Sequence, residues 1–434
     1  MCERYSVDPL KEKNVKLYRW FTLFYNARAY YPVLAVLFID LGLRLEDYSR
    51  LNALWALSIL LLEIPSGAIA DTIGRRKLVV FSAVLMVVEM GLLLVAPIHG
   101  GWVLMAMCIT NRILSGVSEA AASGADQALA YDTLQEKGQE HLWEEKVLPS
   151  VMRWRSAGFM VSMLLGGLLY DPKVSNQVLD WLSIDYELTQ RQTLRFPILV
   201  VFLQGVACLV LALQMKEVGG ERKAPTALKS AFKLTLETTK WAFTTKKVAV
   251  VIIGTLLIDA FIRNYATVTS EYYRTIELPP STWGIMGATA GLLGMVTPQF
   301  AKWLDQRYSP GQSLLMIAGI AWLGLWGVGL CLPIYGLVPS IICMSTFSIF
   351  TFIADNNLHK LADSSRRATI LSVKGMSLNL GYGLASMLFA QFVLIAKRPE
   401  MAGQELGFQT VLFWQPYVFL LCILSFFIWS RRVR

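Results

Sequence analysis

Charge is scarce in this chain of 434 residues: only 16% of them are Asp, Glu, Lys or Arg, against 55% hydrophobic. Soluble domains run near 25% charged, so neither an ordinary soluble enzyme nor a disordered chain fits. Histidine is scarcer still. His99, His141 and His359 are the whole supply, and none sits mid-way along an apolar run, which leaves little for a histidine-based metal or triad site. The six cysteines include no CxxC pair, and all but Cys2 lie in apolar runs, so neither a disulfide framework nor a zinc site is indicated. No metal and no cofactor is expected. The opening stretch MCERYSVDPLKEKNVK lacks an apolar core and a small-residue cleavage site, and no removable leader is expected.

What the chain has instead is long apolar runs. Broken at charged and Pro/Gly clusters, they give twelve candidate membrane-spanning helices of the length needed to cross ~30 Å of hydrocarbon: 18–40, 51–71, 78–97, 101–130, 150–170, 196–215, 247–270, 282–304, 312–332, 335–358, 369–396 and 409–430. The formal charge of +9 is sorted by loop. With both termini on one side, 29 of the 40 Lys and Arg fall on that side and 8 on the other, while Arg28, Arg112 and Arg263 lie within spans. That skew predicts cytoplasmic termini by the positive-inside rule, and it turns the basic balance into a topology signal rather than a sign of nucleic acid. The longest same-side connection divides the chain into bundles 1–215 and 247–434 with a central loop at 216–246. Part of that loop, 226–241, has the pattern of a basic amphipathic helix suited to anionic lipid. The other long loop, 171–195, reads as a solvated connection or a surface lid.

The halves echo each other. Ala125-Asp-Gln-Ala-Leu129 closes span four and Ala354-Asp-Asn-Asn-Leu358 closes span ten. Ser150-Val151 and Ser372-Val373 open the following spans, and Gly67 and Ala301 each stand four before an aspartate, Asp71 and Asp305. Three matches in register support a parallel duplication, which places a polar site near the midplane between the halves.

Spans two and three are joined by Gly67-Ala-Ile-Ala-Asp71-Thr-Ile-Gly74-Arg75-Arg76-Lys77. Gly67 permits close helix contact, Gly74 a tight turn, and Asp71 suits the positive end of a neighbouring helix. This loop resembles the signature of the major facilitator superfamily, Gly-x-x-x-Asp-x-x-Gly-Arg-Arg/Lys, departing from it only in Thr72, where a basic residue is common. The run Ser123-Gly-Ala-Asp-Gln-Ala-Leu-Ala-Tyr-Asp132, with Glu63-Ile-Pro-Ser-Gly67 upstream, resembles a prokaryotic-type branch. The resemblance implies an all-α membrane protein of twelve transmembrane helices in two pseudo-symmetric six-helix bundles. It also implies a cytoplasmic charge relay in which Asp71 meets the start of span eleven and Arg75 pairs with Asp126. In the second half Tyr308 occupies the glycine position, so no matching relay from Asp305 is expected.

Arg112, with Gly116 one turn on, resembles the family's span-four Arg-x-x-x-Gly motif, implicated there in proton coupling. An arginine within the bilayer needs a partner or water. Glu119 lies two turns along the same face, and Glu63 and Glu89 are alternative partners. Glu119 and then Glu63 are the expected proton carriers, with Glu89 a structural pair. Spans one and seven each supply an arginine with Asn and Tyr beside it: Tyr25, Asn26, Arg28 and Tyr31, and Arg263, Asn264 and Tyr265. Two facing guanidinium groups would hold a carboxylate or phosphate, an arrangement similar to that of the family's organophosphate transporters. Asp259, four before Arg263, offers the alternative of a structural ion pair.

The expected function is that of a monomeric, proton-coupled secondary transporter of an organic anion or other polar metabolite, working by alternating access in the cell's inner membrane. Its partners would be the small-molecule solute, protons and the lipid bilayer, with no nucleic acid. No Walker loop offers ATP as the drive. A proton-driven multidrug efflux pump is the alternative, and a lipid flippase or a non-transporting membrane sensor the alternative of another class.

Overall fold

The computed structural model describes residues 8–218, 226–363, 367–397 and 404–432, and the side chain of Asp71 lies outside that description. Among the described residues every regular element is helical, as hydrocarbon demands, because a helix satisfies its backbone polar groups within its own segment. The first half holds α1 (Lys13–Asn26), α2 (Leu34–Asp40), α3 (Leu45–Ile73), α4 (Arg75–Leu94), α5 (Gly101–Ala122), α6 (Ala125–Gln135), α7 (Leu148–Tyr170), α8 (Pro172–Trp181), α9 (Gln190–Thr193) and α10 (Arg195–Gln214). After α11 (Thr226–Thr244) in the central connection come α12 (Lys246–Thr275), α13 (Pro280–Arg307), α14 (Pro310–Gly329), α15 (Leu337–Leu361), α16 (Arg367–Ala396) and α17 (Gln404–Arg432).

Twelve helical passes stand where the apolar runs place them, most of them longer than expected. Two are interrupted, which corrects the expected spans 18–40 and 101–130. The first pass stops at Asn26 and resumes as a short 3-10 turn at Tyr31–Val33, which runs into α2. Pro32 accounts for part of the gap, since it has no N–H to donate to the carbonyl four residues back, at Arg28, and its ring crowds that carbonyl. The fourth pass bends at Ser123-Gly124, where Gly124 adopts φ +77°, and restarts as α6. Loop 171–195 contains two short helices: α8, capped by Asp171 Oδ1 accepting from Lys173 N at 3.0 Å, and α9, opened by a reciprocal Thr189–Gln192 capping box.

Seven of the described helices are long and apolar enough to cross a membrane by themselves. The passes outside that set are the broken first one together with α3, α5, α7 and α13. Three of these carry the contact between halves, for α3 with α16 and α7 with α13 form the most extensive helix pairings in the molecule. At the α7–α13 crossing the backbones nearly touch. A Cβ added at Gly284 would stand 2.2 Å from the Met163 carbonyl oxygen, and one at Gly167 would stand 2.8 Å from Gly284 N. Gly67 is not such a position: among the described residues nothing lies within 4 Å of where its Cβ would stand.

Candidate functional site

The break in the first pass sets the polar centre. Across 27–30 the backbone keeps only turn-type bonds, Ala27 N to the Leu23 carbonyl, Arg28 N to the Asn26 carbonyl and Tyr31 N to the Arg28 carbonyl, and side chains tie the segment to its neighbours. Arg28, on the break and buried, donates from Nη1 to Glu89 Oε1 on α4 at 2.9 Å and to the Tyr30 hydroxyl at 3.1 Å. Tyr25 shares a 2.7 Å hydrogen bond with Ser118 of α5, whose hydroxyl donates in turn to the Ser82 carbonyl. Asn111 donates to the Glu89 carbonyl at 2.9 Å. Next to it Arg112 is 5% exposed, with its guanidinium 4.5 Å from the Phe38 ring centroid.

Arg28, Arg112 and Glu89 thus put two cations and one carboxylate in the buried interior of the first half. Arg28 Nη2, Arg112 Nε and Nη2, and Glu89 Oε2 make no hydrogen bond among the described residues. The expected Arg112–Glu119 pair does not form. Seven residues of helix separate their backbones by about 10 Å, Arg112 turns inward onto Phe38, and Glu119 is exposed. Glu119 lies instead within electrostatic reach of Tyr25 and Tyr31. Glu63, on α3, faces α16, where a Cβ on Gly375 would stand 3.2 Å from its Oε1.

The second-half counterparts are arranged differently because α12 runs unbroken. Asp259 Oδ1 accepts from Arg263 Nη2 at 2.9 Å and Nε at 3.1 Å, and Arg263 Nη1 donates to Asn379 Oδ1 of α16 at 3.0 Å. Asn264 and Tyr265 are buried against Ser386 and Ser340. Two bare guanidinium groups facing each other, as the sequence suggested, are therefore not what the described conformation holds: Arg28 is engaged by Glu89 and Arg263 by Asp259.

A cleft of about 230 Å³ lies between the halves, lined by Asn26 and Tyr31 of the break, by Arg155, Ser156 and Phe159 of α7, and by Gly291 of α13. Arg155 was not singled out from the sequence, where it counted only as a loop charge; it is exposed and makes no ion pair among the described residues. Around the cleft, then, Tyr31 lies within electrostatic reach of Arg28, Glu89 and Glu119, and Asp126 within reach of Arg155 and Glu119.

Both ends of the bundle carry charge networks. At the terminus-bearing end Gly74 turns the chain at φ +105°, a conformation closed to most side chains. The carboxylate of Glu217 then caps α4, accepting from Arg75 N at 2.9 Å and Arg76 N at 3.0 Å. Arg75 pairs with Asp132 and donates to the Ala128 carbonyl. Asp126 does not take it, because the bend at Gly124 puts Asp126 in the first turn of α6, where it accepts from Gln127 N at 2.7 Å. Arg76 donates to the Leu213 carbonyl at 2.9 Å, and the Asp71 part of the expected relay falls on a side chain outside the description. Asp305 does form a network despite Tyr308, accepting from Asn356, Asn357 and Lys360 at 2.5–2.6 Å. The repeat supplied the one usable signal for it.

At the opposite, distal end the halves are latched. Arg274 of α12 meets Asp40 of α2 at 2.8 Å, and Tyr170 donates to the same carboxylate. Lys397 meets Glu46 at 2.6 Å, and the second oxygen of Asp171 accepts from Ser281 N. Ser270 Oγ accepts from Ala35 N and Val36 N, capping the start of α2 from the other half.

Paired helical halves, an interrupted first pass at a buried polar centre and a cleft between the halves are the frame of a membrane transporter. The chain belongs to the Major Facilitator Superfamily, whose family model matches residues 21–386, and that match makes it a transporter rather than an enzyme. No curated protein matches the sequence. Among solved structures it is similar to a point mutant of the nucleoside transporter NupG (TM-score 0.72, 12% identity, covering 96% of this chain and 99% of that one). It is also similar to a bacterial homolog of the human lysosomal transporter Spinster in an inward-facing, unoccupied conformation (0.64, 13%, 97% and 96%). A POT family transporter in complex with 5-aminolevulinic acid is a further likeness (0.64, 13%, 96% and 96%).

Proposed function

We propose that this secondary transporter moves a small polar solute bearing a negative group, coupled to protons, as a monomer in the inner membrane with both termini cytoplasmic. On this reading bundles 1–215 and 247–434 rock about the polar centre, and the described conformation, latched distally, is inward-facing. The observation that carries the reading is the cleft at the break of the first pass, where Arg155 presents a guanidinium without an ion-pair partner among the described residues. Arg28, two residues from Asn26 of that cleft, becomes a second anion ligand whenever Glu89 lets it go.

Coupling follows from the charge balance. Glu119 and Asp126 lie within electrostatic reach of groups around the cleft, and negative charge on them opposes an entering anion. A proton taken up on Glu119 cancels part of that charge, so proton and anion favour each other's binding. Glu63, between α3 and α16, and Arg112 are the further candidates for this linkage. Export of a cationic amphipath is the second reading, favoured by Glu119 within electrostatic reach of Tyr25 and Tyr31.

The test is uptake into proteoliposomes under an imposed pH gradient. Small carboxylates and phosphate esters would be screened alongside nucleosides and 5-aminolevulinic acid, the solutes named for the structural neighbours. For an accepted anion, Arg155→Gln should lower accumulation at least about ten-fold, the order of one lost charge-assisted contact. Glu119→Gln should abolish gradient-driven accumulation while keeping solute exchange. Full accumulation by both variants would sink the reading.

A further inference from the structure

The central helix α11 has three differently made faces. Thr235, Thr238 and Ala242, small side chains all, are buried, and the helix packs on α3 of the first half and on α16 and α12 of the second. Phe232, Leu236 and Phe243 are 44–72% exposed, and at 100° per residue they fall within about 40° of one another, a stripe roughly a quarter-turn or more from the buried one. Lys233 and Lys240 are exposed and lie about a quarter-turn from the apolar stripe on its other side; Glu237 stands 4.0 Å from Lys233 in an exposed pair that an anionic headgroup can displace. Only Thr245 separates α11 from α12, and α12 is long and apolar enough to cross the bilayer from Lys246 onward. The chain connection therefore holds α11 at headgroup level.

We propose that α11 is a lipid-held clamp: its Phe232–Leu236–Phe243 stripe enters the membrane surface, Lys233 and Lys240 hold anionic phospholipid headgroups, and the buried face bridges the two halves. A bilayer surface, rather than a protein, is the occupant because three features agree. The stripe is one side chain wide, its flanking lysines are long enough to snorkel, and the adjoining helix fixes its depth. Lysines of this kind attract anionic lipid at close range. Since α11 spans α3 and α16, the pair at the interface between halves, lipid that holds it favours the conformation in which it is seated, the distally latched one. The inference rests on the two-state reading above for its consequence, but not for its first observable.

Two measurements on the full chain in vesicles test it. A nitroxide on Leu236→Cys, corrected for labelling of the parent, should collide more with oxygen than with a water-soluble nickel chelate. Distances between labels on Trp181→Cys and Tyr335→Cys, exposed at the distal ends of the two halves, should then be compared in phosphatidylcholine with and without about 30% phosphatidylglycerol. Anionic lipid should raise the ratio of latched to open distances about ten-fold, and Lys233→Gln/Lys240→Gln should reduce that gain to less than about two-fold, with Lys233→Arg/Lys240→Arg restoring it. A label at 236 exposed to water overturns the docking. Equal distance ratios in both lipids, or a Gln variant responding like the parent, overturn the clamp. If one distance population persists in every lipid and with every accepted solute, it is the alternating-access reading that fails.

Discussion

At the residue scale the decisive fact is an imbalance: Arg28 and Arg112 share one interior carboxylate, Glu89, and Arg112 has no ion-pair partner among the described residues. Removing one partner of a buried ion pair strands the other charge at about 3–5 kcal/mol, whereas a buried charge without an ion-pair partner already carries a desolvation cost that an apolar side chain of similar volume would not. Glu89→Ala should therefore lower stability by about that amount. Arg112→Met should leave the melting temperature unchanged or raised, and if Arg112 serves coupling it should lose gradient-driven transport at the same time. Thermal unfolding in detergent and uptake in vesicles read the two effects separately, and a destabilised Arg112→Met would show that the guanidinium has a compensating partner. Part of this was readable from spacing: Asp259 stands one turn before Arg263 and does pair with it. The Arg28–Glu89 pair was not, because 61 residues separate them and the sequence offered Glu89 equally to Arg112. Arg155 escaped notice since a charge near a predicted span end looks the same whether it faces water or a cleft.

At the scale of elements, apolar run length located the twelve passes but not the two breaks, because a window long enough to find a span averages over the short interruptions at 27–33 and 123–124. Pro32 and Gly124 were the available signals. Glycines divide in the same way. The motif pointed to Gly67, yet no described atom lies within 4 Å of where its Cβ would stand, while Gly284, which no motif marked, faces the Met163 carbonyl. Alanine at 67 should be neutral or stabilise by up to about 1 kcal/mol through helix propensity. Alanine at 284 must push α13 from α7 and should cost about 1–3 kcal/mol, as overpacking does. Paired thermal-shift measurements decide this, and equal effects at the two positions would contradict the crossing geometry. Glu217 shows a third limit: an acid just past the sixth pass caps α4 across 142 residues, and a count of basic residues alone could not see it.

At the scale of the whole molecule, sequence supplied the two halves, the repeat and the charge skew, but not the conformation, which depends on contacts between distant segments. Lys397 and Glu46 are 351 positions apart, and Arg274 and Asp40 are 234. These latches differ in depth. Asp40 and Arg274 are partly exposed, with side chains 20% and 35% accessible, so their pair is worth roughly 1 kcal/mol at most. The Glu46 side chain is 1% accessible, and a buried carboxylate binds its partner more tightly because water competes less for either charge. Asp40→Asn should thus shift the ratio of latched to open distal distances by up to about five-fold, and Glu46→Gln by more. Since Glu46 and Asp40 share no partner in the described latch, the double variant should shift it by nearly the product of the two. Spin-label distances between positions 181 and 335 measure all three. Exchanging the charges with Asp40→Arg/Arg274→Asp should return the ratio toward that of the parent, which separates loss of the pair from loss of a side chain. An unchanged ratio in every variant would mean that the seal is carried by the α7–α13 crossing, the Asp171–Ser281 contact and the Ser270 cap, with the ion pairs following the conformation rather than holding it.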